Sequence, residues 1–135
     1  MKIETMEETK LDAVTFQVPS PDGTMFVTVT EDRAGKPIAV FIHIGKAGAP
    51  IAAWSNALAR MLTLALDHGA TINDVLVELS NQTTDKIRLT QSGESIRSGV
   101  EGVCNALMQY KRAKFEEVRL TLGDMEAHRG PRLGS

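Results

Sequence analysis

Cysteine is nearly absent from this sequence: Cys104 is the one thiol among 135 residues. A single cysteine excludes an internal disulfide framework and a zinc site built from cysteines. Neither His43 nor His68 has a second histidine or a cysteine at metal-ligand spacing, so we expect no metal and no other cofactor. Because no nucleophile–base pair or carboxylate pair stands out either, the sequence predicts a protein that is not an enzyme.

Long apolar runs and a strong charge imbalance are also missing. No apolar stretch approaches the roughly 20 residues that span a bilayer, and residues 1–10 are too acidic and polar for a signal peptide. Fifteen Lys and Arg stand against seventeen Asp and Glu, for a net charge of -2. That balance excludes a strongly basic nucleic-acid coat. We therefore expect a cytoplasmic protein that binds neither a membrane nor bulk nucleic acid.

Apolar and polar residues alternate in three segments of the first third of the chain. The segments are residues 14–18, 25–30 and 37–44, and a period of two is typical of a half-buried strand. Turn residues separate them, with a glycine available in the second turn. The pattern predicts three strands, of which the second and third pair as an antiparallel hairpin.

The apolar period then changes to that of helices. Residues 50–68 predict a first long helix, with Pro50 in its first turn and Gly69 just past its end. Thr71 and Asp74 have the spacing of a capping box. They predict a short second helix directly after the first.

The last third of the chain predicts three further elements. We expect a brief strand within 87–90, a second long helix capped by Ser95, and a last strand from the alternation at 118–122. The element order predicts an α+β fold: a small antiparallel sheet of three to five strands, with two long helices and one short helix packed on one face. The chain then divides into a flexible N-terminus, a single domain and a disordered tail at residues 1–13, 14–122 and 123–135.

Several segments carry a resemblance to a known family. They are residues 20–32 (SPDGTMFVTVTED), 35–37 (GKP), 41–48 (FIHIGKAG), 56–60 (NALAR), 64–69 (LALDHG) and the start of the last helix near Ser95. Together they resemble the TSCPD domain, which is found at the C-terminal end of many adenosylcobalamin-dependent ribonucleotide reductases. The resemblance covers roughly residues 20–110.

The sequence departs from that family at both of its usual cysteines. Asp22 stands where the family has a cysteine in the first turn, and residues 92–95 (SGES) stand where it has Ser-Cys-Pro-Asp before the last helix. A thiol-dependent metal or redox role is therefore not carried over. The resemblance implies a non-catalytic accessory domain linked to ribonucleotide reductase, which binds a nucleotide, a protein partner such as the reductase, or both.

A glycine-containing turn follows the third predicted strand. Gly45, Lys46 and Gly48 lie between that strand and the first predicted helix. Backbone amides at a helix N-terminus, together with a lysine, bind anionic groups, so these three residues are candidates for ligand binding. The alternative is that the glycines only permit a tight turn. The spacing is not that of a Walker A loop.

Four polar side chains are further candidates for ligand binding. Asn56 and Arg60 are four residues apart on the first predicted helix and project together, either into a groove or onto a polar outer face. Arg88 and Arg97 lie in or beside the polar segment that precedes the last predicted helix. Arginine donates two parallel hydrogen bonds to a phosphate, although a solvated arginine is the commoner case on a protein surface.

The long helices also bear on assembly. The apolar arcs at 50–68 and 96–110 are wide for so short a chain, which favours a homo-oligomer, a dimer or higher. Size and architecture are similar to those of phage sponge proteins that sequester cyclic nucleotide immune signals at sites between subunits. That likeness is one of fold alone, and it gives the alternative function, a sponge for a cyclic nucleotide.

Overall fold

The first three elements form a single antiparallel sheet. The computed structural model describes residues 10–45 and 48–128, with side chains as far as Gly123. Strands β1 (Asp12–Val18), β2 (Met25–Glu31) and β3 (Pro37–Ile44) lie in the order β1-β2-β3. Each pairs antiparallel with its neighbour, which places Phe16 opposite Val27 and Val27 opposite Ile42. The three predicted strands and the hairpin are confirmed.

One face of this sheet is buried and the other is open. The buried side chains alternate along the strands and are aliphatic or Met: Val18, Met25, Val27, Val29, Val40, Ile42 and Ile44. The outer face carries threonines and two exposed aromatic rings, Phe26 and Phe41. The period of two in the sequence therefore reports a sheet with one face in the core.

Helix α1 (Pro50–Asp67) covers the free edge of β3. Pro50 stands in its first turn, where a missing N–H costs nothing, and Gly69 follows its end at a φ of +95°. The hydroxyl of Thr63 accepts a hydrogen bond from the N–H of Val40 and donates one to the Val40 carbonyl, at 3.0 and 3.2 Å. One side chain of α1 thus satisfies an outward-facing peptide of the edge strand.

A short helix and a two-stranded ribbon connect α1 to the last helix. Helix α2 (Ile72–Leu79) begins with the predicted capping box, in which Thr71 and Asp74 each accept a hydrogen bond from the other's backbone N–H. Strands β4 (Arg88–Leu89) and β5 (Ser95–Ile96) then pair antiparallel. The brief strand predicted within residues 87–90 is confirmed.

The last helix, α3 (Gly99–His128), starts later than predicted. Ser95 lies in β5, and the predicted cap there is wrong. Ser98 caps the helix instead: its Oγ accepts from the N–H of Glu101 at 3.0 Å, and the Glu101 carboxylate accepts from the N–H of Arg97 at 2.9 Å. The first bond satisfies an amide of the first helical turn, and the second ties the Glu101 carboxylate to the residue that precedes the cap.

The predicted last strand at 118–122 is wrong, because α3 continues through it. Its apolar residues lie on a helix whose second half is exposed on all sides as far as the side chains are described. Residues 123–128 of the predicted tail are helical, and 129–135 lie outside the described residues, as do residues 1–9 of the predicted flexible N-terminus. Although α3 has 30 residues, no helix in the described part of the chain is long and apolar enough to cross a membrane.

The first half of α3 closes the core and is tied to the end of β2. Val103, Leu107 and Tyr110 are buried against the sheet. Glu31, the last residue of β2, accepts from the Tyr110 hydroxyl and pairs with the Lys114 ammonium, each at 2.7 Å. The pKa of Tyr110 is raised, mainly by burial and next by the hydrogen bond to Glu31. The bond to Glu31 also raises the pKa of Lys114.

Candidate functional site

An open groove runs between the outer side of β3 and the neighbouring face of α1. Its volume is about 630 Å³, within the range of small-molecule sites. The floor is aliphatic and includes Ile38, Val40 and Ala59, and the walls carry the polar and aromatic groups Phe41, Asn56, Arg60, Thr63 and Asp67. We call this feature the β3–α1 groove.

The groove combines an exposed ring with hydrogen-bonding groups of both signs. The Phe41 side chain is 60% exposed on the outer face of the sheet. Asn56 and Arg60 stand one helical turn apart on α1, and Asp67 follows two turns after Arg60. A flat ring, a carboxamide and a guanidinium on one surface can stack against a planar base, hydrogen-bond its edge and bind a phosphate.

Of the predicted site residues, the structure brings Asn56 and Arg60 together in this groove. Phe41, Thr63 and Asp67 also line the groove, although they were not among the predicted site residues. Asp67 could have been found, because it lies seven residues from Arg60 and so near the same face of α1. Phe41 could not, since only the packing of α1 beside β3 places its ring there.

The glycine turn lies outside the groove lining. Gly45 and Gly48 adopt φ of +70° and +85°, and a Cβ on Gly45 would lie 2.9 Å from the Cγ2 of Ile51. These values favour glycine for turn geometry and for close packing. No side chain caps the start of α1, and Lys46 lies outside the described residues.

Arg88 and Arg97 are exposed on the β4–β5 ribbon and do not line the β3–α1 groove. Arg88 pairs with Ile96, and the Arg97 carbonyl accepts from the N–H and hydroxyl of Thr84 at 3.0 and 2.6 Å. The backbone around Arg97 therefore anchors the connection to α3. The structure does not bring either guanidinium to Asn56 and Arg60.

A second cavity, of about 500 Å³, is mainly apolar and lies between α1, the sheet and the start of α3. Asp22 lies at its rim, where its Oδ2 accepts from the N–H of Gly99 at 3.0 Å. The residue that replaces the family's first cysteine thus holds the N-terminus of α3. Residues 92–95 stand in place of the family's Ser-Cys-Pro-Asp signature. They lie in the β4–β5 turn and at the start of β5, and not directly before α3.

Cys104 is half-buried on α3 and points its thiol to the Leu79 carbonyl, 3.6 Å away. Burial, with the nearby Glu101 carboxylate, raises the pKa of this thiol to about 11. The thiolate, which is the nucleophile, is therefore scarce at neutral pH. Among the side chains that the structure describes, those of residues 10–45 and 48–123, no three His, Cys, Asp or Glu gather to hold a metal.

We expect Cys104 to react slowly with iodoacetamide at pH 8. A pKa of about 11 leaves roughly 100-fold or more less thiolate than an ordinary cysteine of pKa about 8.5. The measurement is the alkylation rate by mass spectrometry, in buffer and in guanidinium chloride. Equal rates in the two solvents would contradict the buried, high-pKa thiol.

Comparison with known proteins identifies a family. The model of the TSCPD domain family matches residues 2–111 of the 135. Neither the curated proteins nor the solved structures gave a match. The matched range contains the sheet, α1, α2, the β4–β5 ribbon and the buried half of α3. The chain belongs to the TSCPD domain family.

Proposed function

We propose that this TSCPD domain is a non-catalytic binding module that takes a nucleotide in the β3–α1 groove. The observation that carries the proposal is the convergence of Phe41, Asn56 and Arg60 on one open groove. In this arrangement the Phe41 ring stacks on the base, and Arg60 binds phosphate through a charge-assisted hydrogen bond. Asn56 offers both a donor and an acceptor to the base or the sugar.

The groove has the composition of a site that binds a ligand without transforming it. It holds one guanidinium and one carboxylate two helical turns apart. A nucleophile paired with a base is not among its lining side chains. We therefore assign its polar groups to recognition and orientation.

We further propose that the module serves ribonucleotide reductase, as the family relationship implies. A domain of this family that carries a nucleotide site but neither family cysteine is suited to bind a nucleotide for the reductase without supplying a thiol. The direct test is co-purification of the tagged chain with the reductase of the same cell, with and without added nucleotide. A reductase that never co-purifies would contradict the link while leaving the nucleotide site open to its own test.

Removing the Phe41 ring is expected to weaken nucleotide binding about 5- to 150-fold, because stacking on an aromatic side chain is worth about 1–3 kcal/mol per base. The measurement is calorimetric titration of wild type and Phe41→Ala with nucleoside mono-, di- and triphosphates and with cyclic oligonucleotides. Phe26→Ala is the matched control, since Phe26 lies on the same outer sheet face and outside the groove lining. It should bind like wild type.

Comparing the nucleotide affinities of Arg60→Ala and Lys46→Ala tests which of the two side chains binds the phosphate. We expect Arg60→Ala to lower affinity about 10- to 100-fold, the value of a hydrogen bond to a charged group, and Lys46→Ala to have little effect. The opposite result would move the phosphate to the glycine turn. Tight binding of cyclic oligonucleotides alone would favour the sponge, and no heat from any ligand would contradict the nucleotide proposal.

A further inference from the structure

A line of four exposed residues runs along α1 between the β3–α1 groove, which Leu64 also lines, and the second cavity, which Trp54 also lines. Trp54, Ala57, Met61 and Leu64 are all exposed, and the exposed fractions of Trp54, Met61 and Leu64 are 77, 62 and 49%. Residues at i, i+3, i+7 and i+10 have the spacing of a coiled-coil contact line. We call these four residues the outer stripe of α1.

Two opposite charges flank the outer stripe on one side. Arg60 directly precedes Met61 of the stripe, and Asp67 follows Arg60 by seven residues on the same side of the stripe. The two residues are therefore about 10.5 Å apart along the helix axis. Neither makes an ion pair with another residue in the described part of the chain. Leu58 and Ala65 occupy the other flank and carry no charge.

This charge pattern distinguishes two ways of pairing α1 with a second α1, because flanking charges set helix orientation in a coiled coil. In a parallel pair, Arg60 would lie opposite the partner's Ala65 and would have no counter-charge. In an antiparallel pair about a two-fold axis, Met61 lies beside the partner's Leu64. Arg60 then reaches Asp67 of the partner subunit, and the symmetry forms this ion pair twice.

We propose that a second copy of this chain packs antiparallel on the outer stripe, with Arg60 of each copy paired to Asp67 of the partner subunit. The exposed parts of Trp54, Met61 and Leu64 amount to on the order of 400 Å² per copy. A standard interface buries about 800 Å² per partner. In this register Met61 and Leu64 form the apolar centre, while Trp54 lies opposite Thr71 of the partner subunit, four residues past the end of its α1. With Trp54 included, the stripe supplies at most about half of the standard area, and its small and charged neighbours supply a polar rim.

The second copy would also bear on the groove. Arg60 and Asp67 line the β3–α1 groove as well as flanking the outer stripe, so the partner's helix would close the open side of the groove. A guanidinium has five N–H donors, and one carboxylate engages two of them. Arg60 therefore keeps donors for a phosphate. The dimer rests on the stripe and its flanking charges and does not depend on the proposed nucleotide function.

The test is a charge swap on the full chain, read as mass by size-exclusion chromatography with light scattering between 5 and 100 µM. Wild type should have twice the 14.7 kDa chain mass. Arg60→Glu and Asp67→Arg should each raise the dimer dissociation constant by at least about tenfold, because each places like charges together. The double variant Arg60→Glu/Asp67→Arg should restore the dimer.

Two further variants test the stripe itself. Met61→Asp should have the mass of a monomer by light scattering and the circular dichroism spectrum of a folded protein. Val77→Asp is the matched control, because Val77 is 71% exposed on α2 and lies outside the stripe, and it should remain dimeric. A monomeric wild type, a folded double variant that stays monomeric, or a mass that Met61→Asp leaves unchanged would overturn the proposal. A wild-type dimer that binds no nucleotide would contradict only the proposed function.

Discussion

Replacing Leu107 by alanine is expected to lower the free energy of unfolding by about 3 kcal/mol, within the 2–5 kcal/mol found for buried leucines. Leu107 is fully buried where α3 meets the sheet. Its truncation removes apolar contacts and leaves a cavity that the β-strands cannot collapse to fill. The measurement is urea unfolding followed by circular dichroism, with the change evaluated from the midpoint at constant slope.

Leu120→Ala is the matched control, because it makes the same change on the same helix. Leu120 is 66% exposed, so its truncation should change the free energy of unfolding by no more than about 0.5 kcal/mol. Equal effects at the two positions would show that the second half of α3 is also packed in a core. That result would contradict the description of α3 as half-buried.

Gly102→Leu is expected to destabilise the protein by about 3 kcal/mol or more through overpacking. A Cβ on Gly102 would overlap the sulfur of Met25, which is itself buried, and would lie 3.6 Å from the Cβ of Ser20. Without a side chain at this position, α3 approaches the start of β2 closely. A leucine would force α3 away from β2. It would thereby loosen the packing of Val103, the next residue of α3, in the core.

Gly123→Leu is the comparison that isolates packing from backbone effects. Both glycines lie in α3, and a Cβ on Gly123 meets no atom within 4 Å. Leucine at 123 should therefore leave stability unchanged or raise it by up to about 1 kcal/mol, since glycine is a poor helix former. A similar loss at both positions in thermal unfolding would contradict the close contact at Gly102.

Much of the fold follows from local signals in the sequence. The alternation in β1 to β3 indicates the buried sheet face, and Pro50, Gly69 and the Thr71 capping box mark the limits of α1 and α2. The start of α3 was misplaced although its signal is present. Ser98 has Glu101 three residues later, the spacing of a capping box, whereas Ser95 has a serine there.

The second half of α3 shows where local pattern fails. Val118, Leu120 and Leu122 alternate like a strand, yet Gly102 is the one glycine and there is no proline between residues 100 and 122. Helix propagation from a well-capped start needs only one further hydrogen bond per residue. The alternation at 118–122 therefore does not indicate a strand, because the helix that begins at Gly99 continues through it.

For the candidate site, the sequence could predict only what one helix presents. The four-residue spacing of Asn56 and Arg60 placed them on a common face, and both line the groove. The opposite wall comes from β3, and no local pattern states which strand edge a helix will cover. For Lys46, Arg88 and Arg97 the sequence indicates only the chemistry of the side chain, and it does not state their distance from Asn56 and Arg60.

The bonds from Thr63 to Val40 have a consequence for aggregation. An edge strand with free N–H and C=O groups is a template for pairing with another chain, and β3 is one edge of the sheet. By occupying that peptide, α1 keeps β3 from recruiting a strand from a neighbouring molecule. Partly unfolded molecules in which α1 has detached from an intact sheet are then the species that associate. We expect Thr63→Val, which keeps the side-chain shape and removes both bonds, to increase fibrillar aggregation while it changes the melting temperature little.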